Sequence, residues 1–187
     1  MNSRISFIAR NILKALVWLG LFVGVYLLYN RYLDPDFFKW LEPIYENVIL
    51  VLLLFLVSEI LIGIIPPEIF IIWALRNGVL NEFLVLVGLL SLISYFSGIT
   101  GYFIGHYLSR SLFYRFFKRR FLKKLDQRLK AFGMYLILIA ALTPLPFSGV
   151  SMLIGSVHYP FRKFALLSLS RFLRFAIYAY VFWQIKI

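Results

Sequence analysis

The sequence predicts an all-α polytopic membrane protein, organised as an inverted repeat of a re-entrant helical hairpin followed by a transmembrane helix. Hydrophobic residues make up 62% of the 187 residues and the mean hydropathy is +0.86, whereas soluble domains contain roughly 45 to 50% apolar residues. Two long apolar stretches are each interrupted by a pair of prolines, and Lys and Arg are concentrated in a few segments. At roughly 20 residues per span the chain has room for five or six spans, and for no sizeable extramembrane domain.

Several kinds of chemistry are excluded by composition. The chain has no Cys, so a disulfide framework, a thiolate metal site and a cysteine nucleophile are ruled out. Its two histidines, His106 and His158, are far apart in sequence and form no zinc-type cluster, so both are interpreted as interfacial side chains. The glycines at 98, 101 and 105 follow no strand and precede no P-loop lysine, which argues against nucleotide binding. We therefore expect no metal, no cofactor and no enzymatic activity.

Residues 1–43 are predicted to form an N-terminal transmembrane helix and an interfacial connector. Three cations, Arg4, Arg10 and Lys14, precede an apolar run that continues to position 29 without a small-x-small cleavage site. We interpret residues 12–29 as a retained signal-anchor helix. The connector that follows contains two prolines, mixed charges and clustered aromatic residues, which are typical of a membrane interface.

Residues 44–183 are predicted to form the main membrane domain. Residues 44–75 and 132–157 are apolar stretches that prolines must interrupt, and each is interpreted as a hairpin. The predicted tips are Pro66 and Pro67 in the first hairpin, and Thr143, Pro144 and Pro146 in the second. A span over residues 83–107 follows the first hairpin, and its stripe of Ser94, Gly98, Gly101 and Gly105 predicts close helix packing. A last span, over 164–183, follows the second hairpin.

The orientation follows from the distribution of cations. Residues 107–130 contain nine Lys or Arg against the single acid Asp126, and the positive-inside rule places this segment and the amino terminus in the cytoplasm. If the first helix leads out and the 83–107 helix leads in, residues 44–75 must begin and end outside, as a re-entrant hairpin does. The alternative is a full crossing by residues 44–65, about 33 Å as a helix, which would place one of the two basic regions outside.

Four charged residues within apolar sequence are the candidate site. Glu59 and Glu68 lie on the two arms of the first hairpin, and a carboxylate at the bilayer centre costs at least about 2.5 kcal/mol. Arg171 and Arg174 are spaced to share one face of the last helix. Together the four could hold a phosphate or carboxylate head group when an acid binds a proton. The alternatives are that the acids only pair with cations to hold the bundle together, and that the arginines reach the cytoplasmic interface.

The basic segment mixes cations with aromatic residues, a combination also found in nucleic-acid-binding proteins. Because it adjoins a span, it is interpreted as a helix that sets topology and binds anionic lipid. We therefore expect membrane lipids as partners and no nucleic acid.

Three motifs follow one another along the chain, namely SEILIGIIPPEIF from Ser58, GYFIGHYLSR from Gly101, and TPLPFSGVSMLIGSVHYPFRKF from Thr143. In this order they resemble the DedA, or VTT-domain (SNARE-associated), membrane proteins. The resemblance covers roughly residues 44–183. It implies two re-entrant hairpins that face each other, functional acids at Glu59 and Glu68, and transport of lipids such as undecaprenyl phosphate, with protons as the coupled ion.

This sequence departs from the family pattern at one point. Many bacterial members carry arginines three residues before and three residues after the proline of the second hairpin, and counted from Pro144 these positions are Ala141 and Phe147. Either Arg171 and Arg174 substitute for them, or this protein handles a different ligand or has lost the activity. We expect a multi-pass transporter of the inner or plasma membrane that flips an anionic lipid, and the alternative is a non-transporting membrane scaffold. The oligomeric state is not predicted.

Overall fold

The computed structural model describes residues 45–61, 65–76, 78–110, 123–143 and 145–186, together with Val17, Gly20, Leu21 and Gly24. The side chains of 123–131 and 186 lie outside the description. Within these ranges every regular element is a helix, so the all-helical class is confirmed there. The predicted helix 12–29 apart from those four positions, the connector, residues 111–122 of the basic segment, and Pro144 fall outside the described residues. The division at residue 43 stays a prediction.

Seven helices are present in the described part of the chain. In order they are α1 (Val48–Ile60), α2 (Pro67–Ala74), α3 (Leu80–Leu108), α4 (Lys123–Leu142), α5 (Phe147–Ser156), α6 (Phe161–Ser168) and α7 (Ser170–Lys186). Among the described residues, two stretches are long and apolar enough to cross a membrane, namely Leu80–Leu108 and Phe161–Ile185, which combines α6 with most of α7. The other apolar helices are shorter.

Local chemistry explains where these helices begin. Asn47 caps α1, because its side-chain oxygen accepts hydrogen bonds from the backbone N–H groups of Ile49 and Leu50 at 3.1 and 3.3 Å. Pro67 is the first residue of α2, and Pro146 and Pro160 directly precede α5 and α6. A proline at a helix start loses no intrahelical hydrogen bond, because the first N–H groups have no partner in the helix. The same prolines prevent the preceding helices from continuing.

The closest helix pair is formed by α3 and α5. A Cβ atom at Gly105 would collide with the backbone of Met152, and a Cβ atom at Gly155 would collide with the backbone of Tyr102. A Cβ atom at Gly101 would lie only 3.0 Å from the carbonyl oxygen of Ser148. Small residues therefore permit backbone contact between two helices, and the packing role predicted for the stripe on α3 is confirmed.

Two apolar clusters form the interior. The first packs α1 and α2 against the start of α3 and against α7, and its buried aromatic residues include Phe55, Phe70 and Phe175. The second packs α4, α5 and α6 against the end of α3, and it includes Tyr102 and Phe147. Many large apolar side chains on the outside of α1 and α3 are exposed, as expected for helices that face lipid. The charged residues of the candidate site lie among these clusters.

Candidate functional site at the two helix breaks

The four charged residues singled out from the sequence are all buried. The exposed fraction is 3% for Glu59, 0% for Glu68, 1% for Arg171 and 4% for Arg174. Burying an unpaired charge costs several kcal/mol, so buried ions are retained when they meet opposite charges and further hydrogen bonds. Each of these four residues has such a partner. The alternative in which both arginines extend to the membrane surface does not describe this structure.

The first ion pair joins α7 to the end of α1. Nη2 of Arg171 donates hydrogen bonds to both carboxylate oxygens of Glu59, at 3.1 and 3.0 Å. The guanidinium also lies over the ring of Phe147, with 4.3 Å from Cζ to the ring centroid. A cation over an aromatic face is attracted by the quadrupole of the ring. Arg171 therefore contacts an acid at one helix break and an aromatic ring at the other.

The second ion pair joins α7 to the start of α2. Nη2 of Arg174 donates to Oε1 of Glu68, and Nη1 donates to the main-chain oxygen of Thr143 at 2.7 Å. Glu68 is in the first turn of α2, where the partial positive charge of a helix N-terminus favours a carboxylate. Arg174 thus holds together the two chain breaks, one beside Pro67 and one at Thr143.

The break between α1 and α2 is organised by a serine. Ser58 accepts a hydrogen bond from the backbone N–H of Ile65 at 2.8 Å, and its hydroxyl is 3.4 Å from the carbonyl oxygen of the same residue. Ser58 therefore gives the backbone of Ile65 a hydrogen-bond partner where the ladder of helical hydrogen bonds is interrupted. Glu59 and Glu68 lie at the two sides of this break, and its interpretation as the tip of a re-entrant hairpin stays a prediction.

The break between α4 and α5 supplies only uncharged groups. Its main-chain oxygen at Thr143 accepts from Arg174, and the hydroxyl of Ser148 donates to the main-chain oxygen of Glu59. Ser148 also lies 3.4 Å from Ser97 of α3, oxygen to oxygen. The second break therefore contacts the main chain of Glu59 directly, and it reaches both carboxylates through the arginines.

Several polar atoms in this region have no hydrogen-bond partner in the described part of the chain. They are Nε and Nη1 of Arg171 and Oε2 of Glu68, all of them buried. Buried polar groups are nearly always paired, so unpaired ones mark places where a water molecule, an ion or a ligand can bind. The free groups of Arg171 are donors, which suits an anionic oxygen.

Most of the residues predicted for the site are thus brought together. Glu59, Glu68, Arg171 and Arg174 form two adjacent ion pairs, while Pro66, Pro67, Thr143 and Pro146 lie at the breaks, as their positions predict. Whether the site binds a substrate or a proton stays a prediction. No three His, Asp or Glu side chains converge on a metal site in the described ranges.

Sequence reasoning missed three contributors, namely the ring of Phe147, the hydroxyl of Ser148 and the ring of Tyr178. Tyr178 had a usable signal, since it lies four residues after Arg174 and therefore on the same face of α7. The ring centroid of Tyr178 is 5.4 Å from Cζ of Arg174. The family resemblance singles out position 147 as one that carries arginine in many members, but it does not predict a contact of the phenylalanine ring. Ser148 had no signal, and the contacts of both residues depend on how α5 docks against α1 and α7.

The sequence of this chain is similar to a known protein family and to a protein of another organism. The family model of the VTT domain matches residues 65–184. An uncharacterised protein of the archaeon Methanocaldococcus jannaschii is 31% identical over 119 residues, which cover 63% of this chain and 72% of that protein. No solved structure matches the chain. The matched region contains Glu68, Arg171 and Arg174, and it begins after Glu59.

Proposed function

This chain belongs to the VTT-domain family and is a membrane protein of the DedA type, and from that premise we propose that it is a lipid transporter. The proposed substrate is an anionic lipid or a lipid-carrier phosphate of the undecaprenyl phosphate class. The site formed by Glu59, Glu68, Arg171 and Arg174 would be exposed alternately to the two sides of the membrane. VTT proteins are a transporter-like membrane family and not a known class of enzyme, and we propose no catalytic step.

The observation that supports this proposal is a buried cluster of two acids and two arginines in which some hydrogen-bond donors have no acceptor. As pairs the four charges sum to zero, and Nε and Nη1 of Arg171 have no acceptor among the described residues. A phosphate oxygen matches the planar fork of a guanidinium. The phosphate would bind Arg171 there and draw it away from Glu59.

Charge balance suggests why a proton would take part. An anion added to a neutral, buried cluster leaves one uncompensated negative charge in a medium of low dielectric constant. A proton taken up by Glu59 as it separates from Arg171 restores neutrality. We therefore propose that one of the two acids carries the coupled proton, and that the anion and the proton bind together.

The proposed architecture is the inverted repeat of hairpin and span. Its support is the length of the helices: α1 has 13 residues and α2 has 8, or about 20 and 12 Å, against a hydrocarbon core of about 30 Å. A second support is the recurrence of one local order in both halves: a proline break, a short helix, a residue with left-handed backbone and a long apolar stretch. The left-handed residues are Gly78, with φ 67°, and His158, with φ 57°.

We further propose a plasma-membrane or inner-membrane location with the amino terminus and residues 107–130 in the cytoplasm. The distribution of charge supports this orientation. Arg110, at the carboxyl end of α3, adjoins a segment rich in Lys and Arg, whereas Glu82 is in the first turn of the same helix. Cytoplasmic flanks of membrane helices are enriched in cations.

The arginines of α7 would replace those that the family pattern puts in the second hairpin. Phe147 occupies one of those positions, and its ring lies beneath the guanidinium of Arg171. Arg174 reaches the main chain of Thr143, at the tip of the same hairpin. Both positive charges therefore contact the second hairpin although neither belongs to it, which supports a substitution over a loss of activity.

A non-transporting scaffold is the second candidate, and one observation favours it. Every charge in the cluster already has an opposite partner inside the protein, as a purely structural ion-pair network would. In that case the pairs fix the arrangement of the helices, and the basic segment binds anionic lipid or a partner.

The test uses the full chain in liposomes that contain a fluorescent phosphatidylglycerol, and it measures how fast this lipid changes leaflet. Glu59→Gln and Glu68→Gln keep hydrogen-bonding capacity at the site but cannot exchange a proton, so transport should be lost while the protein stays folded. The exposed acid Glu82 offers a matched control, and Glu82→Gln should transport like the wild type. Loss of folding in both site variants, with normal transport by whatever protein remains, would support the scaffold.

A paired substitution separates the two candidates further. Replacing Glu68 and Arg174 together by Met removes both buried charges, and such a replacement is often neutral or stabilising. A folded double variant without transport supports the transporter. A folded double variant that moves the lipid at the wild-type rate contradicts it, because the second ion pair would then have no part in transport.

A further inference from the structure

A second cluster of polar side chains lies at the carboxyl end of α3, away from the ion pairs. The rings of His106 and His158 face each other edge to face, with centroids 4.5 Å apart and an interplanar angle of 62°. Nη2 of Arg110 lies 3.4 Å from Nε2 of His106. His158 and Arg110 are exposed and His106 is half-buried, so this corner is open to its surroundings.

The contact with Arg110 fixes where the hydrogen of His106 lies. A guanidinium can only donate, so Nε2 of a neutral His106 must be the acceptor, and the hydrogen is then on Nδ1. In the protonated imidazole Nδ1 also carries a hydrogen. Nδ1 is therefore a donor in either state, and it is buried without a hydrogen-bond partner among the described residues. What this corner lacks is an acceptor.

The charges nearby indicate an anionic acceptor. The ring of Phe161 contacts Tyr102 and Phe103, with centroids 5.5 and 5.2 Å apart, and this brings the exposed Arg162 and Lys163 to the same end of the bundle. The described acid side chains lie elsewhere. Glu59 and Glu68 are in the central ion pairs, and Glu82 is about 36 Å away at the other end of α3. Glu46 precedes α1, whose first residue lines a cavity together with Glu82, so Glu46 also lies at that other end.

Two simpler explanations do not account for all the features of this cluster. A helix C-terminus attracts cations, which accounts for Arg110 but not for a buried donor without an acceptor. His158 occupies the left-handed position of the turn that ends α5, where its N–H bonds the carbonyl oxygen of Gly155 at 3.0 Å. Glycine is the residue that this turn favours, so backbone geometry does not explain a histidine there.

We propose that His106, Arg110 and His158 form an interfacial site for the phosphate of an anionic lipid head group, separate from the central site. Nδ1 of His106 and the guanidinium of Arg110 would donate to phosphate oxygens, and His158 would add a second imidazole. The exposed ring of Tyr107, which Arg110 approaches to 5.7 Å, is a side chain typical of this depth in a membrane. A metal ion is a less suitable ligand than a phosphate. Nε2 of His106, the ring nitrogen with a lone pair, already accepts from Arg110, and the positive charge of Arg110 repels a cation.

The experiment counts lipid molecules that stay with the full-length protein. The protein is reconstituted in nanodiscs of phosphatidylcholine with a minor fraction of phosphatidylglycerol, extracted in mild detergent and examined by native mass spectrometry. The wild type should retain phosphatidylglycerol in preference to phosphatidylcholine. His106→Phe, which keeps a ring but has no donor, and Arg110→Gln should each weaken retention about tenfold, the effect of losing one charge-assisted hydrogen bond. Arg162→Gln removes an equal charge at the same end of the bundle and should change the retention of phosphatidylglycerol less than twofold.

Each other outcome overturns the proposal. Equal losses in Arg110→Gln and Arg162→Gln would mean a diffuse attraction of anions, and equal retention of both lipids would mean no recognition of charge. Displacement of the lipid by inorganic phosphate at low concentration would identify free phosphate as the ligand, and displacement by Zn²⁺ would identify a metal site. The result is independent of lipid transport: Glu82→Gln, an exposed position at the other end of α3, should retain the lipid normally, and His106→Phe, which leaves the central ion pairs unchanged, should transport normally.

Discussion

The two helix breaks are alike in backbone and different in charge. Each follows a helix that ends before a proline, and each leads into a short helix, at Pro67 and at Phe147. The first break carries Glu59 and Glu68, whereas the second contributes a main-chain oxygen, an aromatic ring and a hydroxyl. The positive charges come from α7, which contacts both. The acids at the first break are thus neutralised by the last helix and not by the second break.

The two halves also differ in how their short helices are held. The helix α2 is packed through aromatic side chains, as in the contact of Phe70 with Phe55, whose ring centroids are 4.8 Å apart. The helix α5 is packed through glycines that bring its backbone against α3. The two short helices are therefore held by different means, α2 by interlocking side chains and α5 by a backbone contact that small residues permit.

The largest expected effect comes from the arginine that joins the breaks. Arg174→Met leaves Glu68 buried without its ion pair, and the free energy of unfolding should fall by about 3 to 5 kcal/mol. Adding Glu68→Met to the same chain should recover most of this loss. Thermal unfolding in detergent measures both, with the exposed Arg162→Met as a control that changes stability by less than about 0.5 kcal/mol. A double variant as unstable as Arg174→Met alone would show that the contact with Thr143, and not the ion pair, joins the breaks.

A smaller effect is expected where α5 meets α3. Gly105→Ala places a methyl group against the backbone of Met152, and such overpacking should cost about 1 to 3 kcal/mol of stability. Gly88 lies on the same helix with no atom near its missing Cβ, so Gly88→Ala should be neutral or slightly stabilising, since alanine is the better helix former. Comparable losses in both variants would mean that α3 tolerates no alanine at all and that close approach is not the cause.

The hydroxyl that links the two breaks should contribute less. Ser148→Ala removes the donor to the main-chain oxygen of Glu59 and should lower stability by about 0.5 to 1.5 kcal/mol. Ser151, one turn further along α5, bonds only the carbonyl oxygen of Phe147 in its own helix, so Ser151→Ala should have a smaller effect. If the two variants lose the same stability, the contact between the breaks adds nothing to a local hydrogen bond.

The smallest effect concerns the left-handed residue of each half. Gly78 suits its positive φ, whereas a histidine at φ 57° is strained, and His158→Gly should raise stability by up to about 1 kcal/mol. His158→Ala removes the same ring but keeps the strain, so it should not be stabilised. The two melting temperatures, measured side by side, check this. Stabilisation in both variants would point to the imidazole itself as the unfavourable group.

Much of the candidate site could be predicted because membrane burial makes charge conspicuous. Glu59, Glu68, Arg171 and Arg174 stand out in apolar sequence, and a charge in lipid must meet a partner. The pairing could not be predicted, since Glu59 and Glu68 are both plausible partners for either arginine. The contact of His106 with His158 was missed for a related reason, because residues on different helices meet only when those helices dock.

By itself the sequence determined the all-helical class, the two apolar helices long enough to span, the prolines at which helices end, and the identity of the buried charges. These follow from local rules, namely the hydrophobicity of a segment, the missing N–H of proline and the cost of a charge in lipid. Only the tertiary structure decided that Arg171 pairs with Glu59, that Arg174 joins Glu68 to Thr143, and that Phe147 lies beneath a guanidinium. Those contacts depend on the rotation and depth of each helix, which close packing of many side chains sets together.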